Sequence, residues 1–135
     1  MENNVSFNLD NYRFNKVNID FESSSNDLKI DFIPSGIYRQ DKSEFELNFK
    51  FIAKSVEFTA PFVSVDCIAI FKFSNINSFD EIPSYFYRNS LAILFPYVRS
   101  FVSTITLQAN IPPVILPTLN LTKLEAPLRQ STVEK

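Results

Sequence analysis

A chain of 135 residues with 13 basic and 15 acidic side chains carries a net charge of −2, which is the size of one domain with one core and exerts no electrostatic pull on nucleic acid. With no histidine, one cysteine and one glycine, it lacks clustered zinc ligands, Ser-His or Cys-His pairs and a Gly-rich phosphate loop, so no metal or other cofactor is expected. Carboxylate catalysis stays open in form, but Asp20, Asp31, Glu46 and Asp66 fall on polar strand faces where carboxylates are ordinarily solvated, and no enzyme is expected.

The opening MENNVSFNLDN is polar and lacks a basic n-region. No apolar run approaches the ~20 residues that span a bilayer, so a cytoplasmic protein without membrane insertion is the expectation. Residues 1–135 are read as a single domain with its core over 12–124; residues 1–11 and 128–135 are expected to be flexible. Val17, Ile19 and Phe21 alternate with polar residues, as do Leu28, Ile30 and Phe32, and then Phe45, Leu47, Phe49 and Phe51. This period of two predicts three strands with one buried face each. Tyr12 and Phe14 have the opposite parity from Val17. Either a bulge near Asn15-Lys16 reconciles them, or they form a separate lead-in segment.

The run Phe62 to Phe73 is apolar on both parities at its middle, which predicts a strand covered on both sides. Cys67 lies within it and reads as a buried, inert thiol. Glu22-Ser23-Ser24-Ser25-Asn26-Asp27, Pro34-Ser35-Gly36 and Arg39-Gln40-Asp41-Lys42-Ser43 read as turns, so consecutive strands form an antiparallel meander. Ser78 and Glu81 have capping-box spacing, and Pro83 limits that helix to about a turn. A longer helix is predicted over Asn89 to Gln108, with Val98, Phe101, Val102 and Ile105 as its apolar stripe and Pro96 near its start or at a kink. The proline-punctuated segment Ile111 to Leu121 is neither helical nor polar, so it must pack on its own sheet or on a neighbour. A short helix begins at Thr122 and is cut by Pro127.

Leu94-Phe95-Pro96-Tyr97-Val98-Arg99 and Ile111-Pro112-Pro113-Val114-Ile115-Leu116-Pro117-Thr118-Leu119-Asn120-Leu121 resemble the helix and the crossover of the SecB protein-export chaperone family. The resemblance covers about Tyr12 to Leu124 and is specific only around these two motifs; elsewhere it rests on the order of elements. It implies an α+β fold: a four-stranded antiparallel sheet with one long helix and a short C-terminal helix packed on one face. It further implies a homotetramer built as a dimer of dimers. The implied activity is ATP-independent holding of unfolded preproteins in apolar grooves for export, driven by burial at roughly 25 cal/mol per Å².

The candidate walls of such a groove are Ile33, Tyr38, Phe62, Ile115, Leu116, Leu119 and Leu121. The acidic contacts of the family with the SecA motor fall on Glu22 and Asp66, while the family's acidic tail has no counterpart in LRQSTVEK. Two other readings stay open. One is a SecB-like chaperone dedicated to a single client, such as the antitoxin of a toxin–antitoxin system. The other is an assembly subunit whose apolar surface serves oligomerisation only.

Overall fold

The computed structural model describes residues 5–116 and 120–135. Five strands, β1 (Ser6–Ile19), β2 (Lys29–Arg39), β3 (Glu44–Lys54), β4 (Val63–Ser74) and β5 (Thr132–Glu134), form one sheet in the order β1-β4-β3-β2-β5. Helices α1 (Tyr85–Gln108) and α2 (Thr122–Ser131) complete the domain, with short 3-10 turns at Phe21–Ser23, Gln40–Lys42 and Phe79–Glu81. The sheet is mixed and five-stranded, which corrects the expected four antiparallel strands: β5 runs parallel to β2, pairing Gly36 with Thr132 and Tyr38 with Glu134. Residues 132–134 are therefore sheet and not a frayed tail, and residues 6–11 belong to β1 and not to a loose lead-in.

β1 is continuous and shifts register between Leu9 and Asn11 and again between Phe14 and Lys16. Each bulge inserts one residue and so restores parity. Phe7, Leu9, Tyr12, Phe14, Val17 and Ile19 thereby all share the face that β4 presents through Phe73, Phe71, Ala69, Cys67, Val65 and Val63. The bulge alternative for Tyr12 and Phe14 is the one the chain adopts.

The proposed turn Pro34-Ser35-Gly36 lies inside β2 instead. Proline survives there because, among the described residues, no strand pairs with that edge below Gly36, so its missing donor leaves no ladder bond unmade. Gly36 is needed for close approach: a Cβ there would overlap the Phe45 ring and sit 2.7 Å from Thr132 Oγ1.

α1 starts at Tyr85, four residues ahead of its expected start, and runs straight through Pro96. Proline removes the bond to the carbonyl of Ala92, and both residues lie on the exposed side of the helix. By length and composition α1 could also cross a membrane. Here it is a core helix, whose Phe86, Leu91, Leu94, Val98 and Val102 are buried against the sheet.

α1 ends in a Schellman cap. Asn110 takes φ 63°, its N–H bonds Leu107 O at 3.0 Å, and Ile111 N–H bonds Thr106 O at 3.3 Å. α2 extends past Pro127 to Ser131, against the expected stop, because packing of the fully buried Leu128 outweighs the single lost backbone bond.

One core joins both helices to the inner sheet face. Cys67 is buried within it, and burial pushes its thiol up to about 12. We expect a disulfide-exchange reagent at neutral pH to leave Cys67 unmodified in the native chain and to label it fully in denaturant; rapid labelling without unfolding would contradict this packing.

Candidate binding surfaces

α1 lies across the inner face with Phe86 over Phe7, Phe45, Phe71 and Phe73, at centroid distances of 4.8 to 5.6 Å. Further along, Phe101 stacks on Phe14 at 3.8 Å and Tyr97 meets Tyr12 at 4.6 Å. These last pairs are not sealed. Tyr12, Val17, Ile93, Tyr97 and Leu107 remain more than a third exposed. They are exposed apolar side chains on α1 and the β1 edge, joined across the two elements where Tyr97 meets Tyr12. Ile93 and Tyr97 follow each other at i, i+4 on one side of the helix, a spacing that the reading of Val98, Phe101, Val102 and Ile105 as the core stripe passed over.

The described start of the crossover returns along α1. Val114 N–H donates to Thr106 Oγ1 at 2.9 Å, and Ser103 Oγ donates to Val114 O at 3.2 Å. Thr106 is fully buried, and its own proton goes back to Val102 O at 2.8 Å. Val114 and Leu116 are buried, whereas Ile115 is 68% exposed. The role of Ser103 and Thr106 carried no sequence signal, because hydroxyls inside a helix ordinarily bond back to their own turn.

The expected groove walls do not converge. Tyr38, Phe62 and Leu116 are core residues. Ile33 stands on the opposite, outer face of the sheet beside Lys50, and Leu121 is half-buried at the start of α2. Leu119 lies outside the described residues. Tyr38 is fully buried with a hydroxyl that has no hydrogen-bond partner among the described residues; burial first, then Glu134 and Glu81, raise its pKa.

Glu22 and Asp66 are also apart. Glu22 sits on the 3-10 turn beyond the last paired residue of β1, while Asp66 is three ladder positions inside, opposite Lys16. Lys50 Nζ stands 4.0 Å from Asp66 Oδ1, which is ion-pair range without a hydrogen bond. Glu44 and Glu46 are engaged by Lys72 and Arg39 at 2.8 and 3.2 Å. Arg13, Lys16, Lys29 and Lys54, on the same outer face by register, have no ion-pair partner among the described residues. Exposed pairs of this kind contribute little stability, but they leave the face without an acidic patch.

The family model for preprotein translocase subunit SecB matches residues 8–130. The chain belongs to the SecB family. Its fold is also similar to that of the SecB-like chaperone Rv1957 of Mycobacterium tuberculosis, solved with a ChAD peptide from the HigA1 antitoxin. The TM-score is 0.67 at 16% identity, covering 84% of this chain and 88% of the other. A protein of unknown function from Streptococcus agalactiae matches at TM-score 0.48 and 14% identity, over 84% of this chain and 98% of its own.

An uncharacterized protein of Methanocaldococcus jannaschii is 51% identical to this SecB-family chain over 51 residues, which is 38% of this chain; the match spans 33%, about a third, of the relative's length.

Proposed function

We propose that this SecB-family chain is an ATP-independent holding chaperone that binds unfolded polypeptides and works as a homotetramer, a dimer of dimers. The exposed side chains of Tyr12, Val17, Ile93, Tyr97 and Leu107 carry the reading. These side chains stay in water although the core beneath is filled. Apolar area contiguous across a strand edge and a helix marks a surface that another polypeptide covers. In this reading a second copy covers these side chains, and the exposed Ile115 with the half-buried Leu121 borders the path of the client. Recognition by aliphatic and aromatic walls needs no sequence code, only side chains able to repack. If the chain serves export, Glu22 and Asp66 are the acidic residues to meet a translocation motor, with Asp66 4.0 Å from Lys50 and not hydrogen-bonded to it.

Native mass spectrometry of the purified chain with a reduced, unfolded polypeptide tests this. The expected result is a homotetramer that captures the unfolded chain and ignores the folded form. An assembly that ignores unfolded chains altogether would end the general-holding reading. The second reading, one dedicated client, is favoured by the Mycobacterium tuberculosis neighbour, which is solved with a peptide of an antitoxin. Its signature is an assembly that ignores generic unfolded protein and holds one partner purified with it.

A further inference from the structure

We propose that Val114-Ile115-Leu116 is a placeholder. The slot it fills beside α1 is a binding site for an extended client segment with aliphatic side chains two residues apart, and the chain's own residues occupy that slot when no client is present. The proposal rests on the holding reading above and names where the client goes.

The occupied slot already shows a bound peptide in outline. Burial alternates across Val114, Ile115 and Leu116 as in, out, in, the period of an extended chain with one face against a wall. Both side chains that point inward join the same core cluster as Val98 and Val102 of α1 and Phe49 and Phe51 of β3. The main chain is gripped separately. The N–H and C=O of Val114 are taken by the hydroxyls of Thr106 and Ser103, not by a helix or a sheet ladder. A hydroxyl pair that grips one residue's backbone reads no sequence; any residue other than proline offers the same two groups. Two inward pockets and one backbone clasp thus define a ligand class: extended, aliphatic at alternate positions, as in the strands of an unfolded protein.

Thr106 is the acceptor that the occupant meets. Its oxygen is fully buried and gives its proton to Val102 O, so the Val114 N–H is the donor it accepts. Another extended backbone supplies the same donor. The present occupant is held by the burial of Val114 and Leu116 and by two side-chain hydrogen bonds to Val114, while Pro112 and Pro113 before it are exposed and offer no backbone donor. The slot can exchange its own segment for a similar one.

The test uses the full chain and a capped fluorescent peptide of its own crossover sequence, IPPVILPTLNL. Leu116→Ala weakens the resident segment and leaves the slot intact. Its affinity for the peptide should rise about tenfold over wild type, as expected when the competent fraction grows tenfold. Adding Thr106→Val should remove that gain. Val114→Ala serves as the second route should Leu116→Ala lose its fold by circular dichroism. A folded Leu116→Ala or Val114→Ala chain with wild-type affinity for the peptide overturns the placeholder. Capture of a reduced, unfolded polypeptide is measured alongside. If wild type and variant both capture it while peptide affinity stays unchanged, only the slot is refuted. If neither captures it, the holding reading falls, and the slot with it.

Discussion

Phe86→Ala should cost about 3–5 kcal/mol, the loss typical of a large aromatic ring removed from a packed core. Few sites in this chain gather as much around one ring. Phe86 is fully buried, and it meets Phe7 of β1, Phe45 of β3 and Phe71 and Phe73 of β4, with Tyr87 beside it on α1. It is the point where α1 is fastened across three neighbouring strands. Domains of this size are stable by only about 5–15 kcal/mol, so the substitution should remove a large part of the total. The urea midpoint should fall steeply, with a smaller fall for Phe86→Leu, which refills part of the volume. A midpoint displaced by less than the equivalent of about 1 kcal/mol would show that the strands hold together without this ring.

Gly36→Ala should come next, at about 1–3 kcal/mol for a methyl forced into a filled space. The space is filled from two sides. The new Cβ would overlap the Phe45 ring, which is fully buried and held by Phe86 at 4.8 Å, and it would press on Thr132 Oγ1 at 2.7 Å. The ring cannot swing away without opening the core. Relief would come from the other side, by loosening β5 from β2. Amide exchange at Lys135, whose N–H bonds Tyr38 O at 2.9 Å, should accelerate in the variant. Phe45→Leu in the same chain should recover part of the loss, because the two sites share one contact. A Gly36→Ala chain with an unchanged midpoint and unchanged Lys135 exchange would sink this account.

The strands and the long helix were legible because burial imposes a period on the sequence. Phe45, Leu47, Phe49 and Phe51 fall on one face, and Val98 and Val102 fall on one stripe. What escaped was decided by partners far away in the chain. Pro34 and Gly36 carry turn chemistry, and only the pairing with residues 132–134 and the approach of Phe45 reveal why they sit in a strand. β5 is three residues long and has no periodicity of its own to read. Pro127 marks a helix end by local rules, and the burial of Leu128 overrides it.

The candidate site was less legible still. That Tyr38, Phe62 and Leu116 are buried while Tyr12, Tyr97 and Ile115 are not depends on which face each strand and the crossover turn inward. A Tyr or a Leu looks the same in either place. The helix and crossover motifs pointed to the right family because they carry residue order as well as composition.

The lower edge of β2 is partly blocked by small, separate means. Pro34 has no donor there, its carbonyl accepts from Ser131 Oγ at 3.1 Å, and the neighbouring Phe32 N–H is taken by Asp31 Oδ1 at 3.0 Å. A molecule that gathers sticky, extended chains raises their local concentration next to its own backbone. An open edge in that setting would be a seed, onto which one captured strand after another could stack into an irreversible cross-β polymer. With the Phe32 N–H and the Pro34 position already closed, this stretch of β2 is a poorer template for such stacking. A polypeptide lying against this stretch of β2 would have to rely on side chains and isolated hydroxyls, contacts that can let go.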